Sequence, residues 1–132
     1  MDKRLQKTKR LLKVQEQLHQ IAEWKLASLQ RQVAELQNTQ HALIATLNDD
    51  QLLHGLFVEA RSRRLQTLAA EEGRVKVAEA EQKKAALDHA MQVKRTERMV
   101  ETLSVEYRRA VEKKDYLALL DSLATKTDAS LP

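Results

Sequence analysis

Histidine and carboxylate side chains are the first place to look for chemistry, and this chain holds four histidines, His19, His41, His54 and His89. His19 and Glu23 are four residues apart, a spacing that places both on one face of a helix and can grip a metal ion. No third ligand converges on them, so the pair reads as solvated helix surface. The chain has no cysteine, which excludes disulfides and thiolate metal sites. It has no Ser/His/Asp set, no glycine-rich phosphate loop and no HExxH motif. The sequence predicts no catalytic residue, no metal, no cofactor and no enzyme activity.

A different chemistry is concentrated at the start. Lys3, Arg4, Lys7, Lys9, Arg10 and Lys13 stand against one acid, Asp2. The whole chain carries a formal net charge of +4, so the entire excess sits at this end and the remainder is close to neutral and mixed in sign. Nucleic-acid binders of this kind carry a denser basic region or interleave stacking aromatics, and neither accompanies this segment. Two readings stay open, a solvated helix end and a dock for an acidic protein surface.

The elements that hold these residues follow from composition. There are two glycines, one proline and 3% aromatics in 132 residues, with 32% charged. A folded domain with several turns needs more glycine, proline, asparagine and aspartate. Such a composition predicts long helices that meet along a narrow seam. Nothing in it is apolar enough for a membrane span or signal peptide, which places the chain in the cytoplasm as an expectation.

The seam is visible in the spacing. Leu29, Val33, Leu36, Gln40, Leu43 and Leu47 alternate steps of four and three. Upstream, Leu11, Val14, Leu18 and Ile21 obey the same rule one residue out of phase, which predicts a stutter before Leu29. Leu65, Leu68, Glu72, Val75, Glu79, Gln82, Ala86, His89, Val93, Thr96, Val100, Leu103, Tyr107, Ala110, Lys114 and Leu117 form a second, more polar seam. Between them, Asn48 and Gln51 resemble a capping box, with Leu47 and Leu52 as its hydrophobic staple. The expected fold is all-α: an antiparallel coiled-coil hairpin over residues 1–124, helix 1 about 3–47, turn 48–55 and a longer helix 2 about 56–123. A disordered tail over 125–132 follows. A reversal at residues 51–52 sets Leu36 near Leu68, Leu18 near Ala86 and Leu5 near Val100. A parallel dimer of the whole chain is the competing architecture.

Two apolar clusters have no evident use in such a hairpin. Leu52, Leu53, Leu56, Phe57 and Val58 lie by the turn, where local packing is the plainest reading. Tyr116, Leu120 and Leu123, with Leu117 and Leu119, lie on the overhang of helix 2, where helix 1 has run out. That stripe reads as a docking face, or as a segment that folds back or frays. Trp24 falls outside the seam and is either a binding hot spot or a cover for the stutter. Gly73 weakens its helix by about 1 kcal/mol relative to alanine and marks a possible bend.

With its basic amphipathic start, its reversal after about fifty residues and its long second helix, the chain resembles the FliJ family. That family supplies the central stalk of the flagellar export apparatus, and the YscO-like or SctO proteins are its injectisome relatives. The residues that carry the resemblance are Leu47-Asn48-Asp49-Asp50 through Gly55-Leu56-Phe57, Arg63-Arg64-Leu65, Glu106-Tyr107-Arg108-Arg109 and Glu112-Lys113-Lys114. The resemblance implies a non-enzymatic coupling protein of flagellar or type III protein export. Its terminal end would dock in a hexameric export ATPase through Lys3, Arg4, Lys7, Lys9, Arg10, Arg108, Arg109, Lys113 and Lys114. Its tip, with Leu43, Leu47, Leu56, Phe57 and Ala60, would face an export-gate membrane protein. Export chaperones are further expected partners. Nucleic acid and direct membrane insertion are not expected, and the free chain is expected to be a monomer. A structural coiled-coil scaffold or adaptor with an unrelated protein partner is the alternative.

Overall fold

The computed structural model describes Lys3–Asp49 and His54–Ser130, with side chains over residues 3–48 and 57–127. All of it is helical. Helix α1 spans Lys3–Asp49 and helix α2 spans His54–Ser130. The chain is a two-helix hairpin whose contacts gather into two units, residues 16–91 and residues 1–15 with 92–132.

In the first of these units the helices face each other through alternate steps of three and four. On α1 the shielded positions are His19, Ala22, Leu26, Leu29, Val33, Leu36, Gln40, Leu43 and Leu47. On α2 they are Val58, Arg61, Leu65, Leu68, Glu72, Val75, Glu79, Gln82, Ala86 and His89, with Ala78, Ala85 and Ala90 half-buried beside them. Cross-helix hydrogen bonds run in reversed order, as antiparallel helices require. Arg61 Nη1 donates to the Thr46 carbonyl at 3.4 Å, Gln40 Nε2 to Glu72 at 2.8 Å, and Gln82 Nε2 to the Ala22 carbonyl at 3.0 Å.

In the other unit the shielded positions are Leu5, Thr8, Leu12 and Gln15 on α1, and Val93, Thr96, Val100, Leu103 and Tyr107 on α2. Thr8 keeps its buried hydroxyl satisfied by donating to the Arg4 carbonyl at 2.8 Å. Both seams are thin. Among the described residues Leu5, Ala22, Val33, Leu68, Ala86 and Leu103 are the buried apolar ones, and none of the described side chains falls below 2% exposure.

Several expectations change here. The α2 seam is the expected one through Tyr107, but Ala110, Lys114 and Leu117 are exposed. On α1 no stutter occurs in the burial pattern, which keeps its three-four count from Leu5 to Leu47. Leu11, Val14, Leu18 and Ile21 are 48%, 51%, 43% and 43% exposed. The reason lies in α2, whose seam keeps an unbroken 3.5-residue period. A stuttered partner would rotate its stripe out of contact, by about 100° per residue of offset. The grooves between the helices group residues of both seams. Leu36 and Leu68 border one groove, and Ala86 borders another with Glu23 and Leu26, while Leu18 is 43% exposed. Leu5 borders a groove with Ser104 and Tyr107, further along α2 than Val100.

The ends differ as well. Asn48 and Asp49 belong to the last turn of α1, so Asn48 does not cap a following helix, while His54 and Gly55 open α2. Gln51, Leu52 and Leu53 lie outside the described residues. The expected tail is helical through Ser130, where Thr125 and Thr127 donate to the carbonyls of Asp121 and Leu123, both at 2.9 Å. Gly73 has negative φ, and a Cβ built on it meets nothing within 4 Å. Nothing in the structure requires glycine there.

Candidate functional site

The start of α1, with residues 4–9, and residues 98–111 of α2 lie in one unit. Arg4 borders a groove with Arg98, Met99, Thr102, Leu103 and Glu106. On another side, Leu5 and Lys9 border a groove with Ser104, Tyr107, Arg108 and Val111. The buried anchors Leu5 and Leu103, at 3% and 6% exposure, set this register, so the flanking cations are positioned by packing of their apolar neighbours. Of the expected ATPase-facing residues, Lys3, Arg4, Lys7, Lys9, Arg10, Arg108, Arg109, Lys113 and Lys114 are all exposed. The two grooves unite Arg4, Lys9 and Arg108. Arg109, Lys113 and Lys114 line neither groove and lie beyond Tyr107, the last shielded position on α2. Arg98 was not singled out in the sequence, since charge there alternates in sign around it.

The expected tip residues divide. Leu43 and Leu47 are half-buried seam positions, occupied by packing against α2. Phe57 is 46% exposed, and Ala60 is exposed too. The Arg61 guanidinium lies 5.9 Å from the Phe57 ring centroid, at the outer limit of a cation–π contact. The side chain of Leu56 lies outside the described residues. On the overhang, Tyr116, Leu120 and Leu123 are 61%, 44% and 52% exposed.

A polar clamp crosses the seam in the other unit. Gln37 Nε2 donates to Glu72 Oε1 at 2.9 Å, Gln40 Nε2 donates to Glu72 Oε2 at 2.8 Å, and Lys76 Nζ lies 3.2 Å from Oε1. The Gln40 hydrogen bond, followed by those from Gln37 and Lys76, lowers the Glu72 pKa from an ordinary 4.5 to about 2. The signal for this bridge was present in the sequence. Gln40 and Glu72 are polar residues standing in otherwise apolar seams, and a buried polar residue at such a position fixes register.

His19 Nε2 lies 3.2 Å from Glu23 Oε1, with both side chains partly in solvent. Among the described residues no three His, Cys, Asp or Glu side chains come together as a metal site. His41 is exposed and His89 sits in the α2 seam. Trp24 is 63% exposed, outside the seam. Among the described residues no helix is long and apolar enough to cross a membrane.

No family model, curated protein sequence or solved structure matches this chain.

Proposed function

We propose that the chain is a non-enzymatic coupling stalk of a flagellar or type III protein-export apparatus. It docks the unit that holds both basic segments in a hexameric export ATPase and turns its Phe57 end toward the export gate in the membrane. The observation that supports the reading is that Arg4 with Arg98, and Lys9 with Arg108, border two separate grooves of one unit, Glu106 joining the first. A cluster of cations on exposed helix surface suits docking against acidic groups, because charge attraction steers encounter over a Debye length. The mixed-sign surface elsewhere suits a shaft that must not adhere to the ring around it.

The test is a binding assay between the purified chain and a purified hexameric export ATPase. Reversing Lys3, Arg4, Lys7 and Arg10 to glutamate is expected to abolish binding while helicity by circular dichroism stays unchanged. Retained binding by that variant sinks the assignment of the basic unit. Failure of the unaltered chain to bind at all moves the reading to a scaffold or adaptor with an unrelated protein partner.

A further inference from the structure

Helix α1 has one side that its seam does not use. Counted in sevens along the helix, that side comprises three adjacent columns. The first holds Lys3, Arg10, Gln17 and Trp24, the second Lys7, Val14 and Ile21, and the third Arg4, Leu11, Leu18 and Lys25. All of these residues are exposed, Trp24 at 63%. Single exposed leucines need no explanation, whereas a continuous apolar patch does.

Charge indicates what covers it. Lys3, Arg4, Lys7, Arg10 and Lys25 lie on this side and no acid does. Glu16 and Glu23 share a column about 100° away from that of Trp24. Lys3, Lys7 and Arg10 follow one another on successive turns, with no acid three or four residues away on their own helix to relieve their repulsion. An anionic surface laid along the helix would relieve it.

The three-four spacing of Leu11, Val14, Leu18 and Ile21 alone would suit another helix as well as a lipid surface. Two observations favour lipid. None of these four residues, nor Trp24, lines any of the grooves described above, so a protein side chain finds no pocket of the kind that interface anchors fill. Where this side borders α2, the neighbours of Arg4 are Arg98, Met99, Thr102 and Glu106. A helix lodged between α1 and α2 would therefore meet a polar wall of mixed sign. A bilayer surface needs α1 alone. It takes aliphatic side chains below the headgroups, holds tryptophan at headgroup level and draws cations to anionic lipid.

We infer that residues 3–25 of α1 carry an adsorption face for an anionic phospholipid surface. The face is about 33 Å long at 1.5 Å per residue, and the helix lies on the bilayer without crossing it. The inference stands independently of the export reading. It shares Lys3, Arg4, Lys7 and Arg10 with the proposed ATPase dock, so lipid and ring compete for the same cations.

Trp24 is the one tryptophan of the chain, and its emission reports on the face directly. The full chain is titrated with vesicles of phosphatidylcholine alone and of equal parts phosphatidylcholine and phosphatidylglycerol, with co-sedimentation as the second readout. The expected result is binding to the anionic vesicles only, with a blue shift of Trp24. Binding should weaken as salt rises from about 0.1 to 1 M and the Debye length falls from about 10 to 3 Å. Lys7→Gln/Arg10→Gln is expected to weaken it about 25-fold, at about fivefold per cation. Leu18→Gln/Ile21→Gln keeps every cation, and is expected to weaken binding at least tenfold and to abolish the blue shift. Circular dichroism of both variants without lipid should match the unaltered chain, since all four positions are exposed. No binding to either vesicle overturns the inference and leaves an acidic protein helix as the occupant. Equal binding to both compositions overturns it, as does anionic binding that Leu18→Gln/Ile21→Gln retains in full.

Discussion

Placing an arginine at Leu18 and, in a separate chain, at Ala22 distinguishes two incompatible seams on α1. Hydrophobicity alone would protect Leu18 and surrender Ala22. The structure reverses that order, with Ala22 4% exposed and Leu18 43% exposed. Leu18 has lost a little over half of its surface to neighbours, and full burial of a leucine contributes about 1.5–3 kcal/mol, so its removal costs about 1 kcal/mol. Arginine lowers even that cost, since its aliphatic stem can cover the same surface while its head stays in water. At Ala22 the new side chain must be forced between helices close enough for Gln82 Nε2 to reach the Ala22 carbonyl at 3.0 Å. Overpacking costs about 1–3 kcal/mol before any desolvation of the guanidinium. The expected gap between the two variants is about 2 kcal/mol. Urea unfolding followed by far-ultraviolet circular dichroism reads this as a midpoint difference of about 1 M, with slopes of about 1–3 kcal/mol/M. Equal costs, or a larger cost at Leu18, would refute the unbroken seam and restore the stripe of Leu11, Val14, Leu18 and Ile21 as the core.

Other consequences are simpler to read. Glu72 has a folded pKa of about 2 against an ordinary 4.5, so its contribution is complete above the ordinary value and is lost as pH falls through the folded one. Stability of the unaltered chain should therefore decline more steeply between those two values than that of Glu72→Gln, measured by urea titration at each pH. His89 Nδ1 is buried without a hydrogen-bond partner, and an unsatisfied buried polar atom costs about 1–3 kcal/mol. His89→Leu should raise the urea midpoint, and a drop in that midpoint would show that the imidazole is satisfied in solution. Gly73→Ala meets open space in mid-helix and should stabilise by about 0.5–1 kcal/mol; destabilisation there would mean the glycine has a role that the free chain does not display.

How far the fold was legible depends on how many stripes each helix offers. Along α2, between Leu65 and Tyr107, one set of residues keeps an unbroken three-four count, and the structure buries or half-buries that set despite Glu72, Glu79, Gln82, His89 and Thr96 within it. From Leu29 to Leu47 the same holds for α1. The ends were less readable. The N-cap chemistry of Asn48 is real in kind, but the residue lies inside α1, and local preference there yields to helix continuation. The tail from Thr125 has no apolar pattern, which is why it reads as disordered in the sequence. Thr125 and Thr127 can instead bond back to carbonyls one turn earlier, as both do. The basic positions of the candidate site were legible individually, but their neighbours Arg98 and Glu106 were not, because only the register of Leu5 against Tyr107 brings them together.

Upstream on α1 the difficulty was competition between two stripes one residue apart. Leu11, Val14, Leu18 and Ile21 form the more apolar one; Leu5, Thr8, Leu12, Gln15, His19, Ala22 and Leu26 form the one that is shielded. Transfer of side chains from water favours the first. Two other constraints favour the second. It is the only stripe in phase with Leu29 through Leu47, so choosing it keeps one period against an α2 seam that has no stutter. It also puts the small Thr8 and Ala22 in the α1 seam, as Ala86 and Thr96, 3% and 4% exposed, are in the α2 seam, and small residues let helices approach closely. Close approach gains dispersion contacts along the whole seam, whereas the excluded leucines forfeit only part of their burial. The displaced stripe then remains on the surface as Leu11, Val14, Leu18 and Ile21, with a three-four spacing suited to another helix.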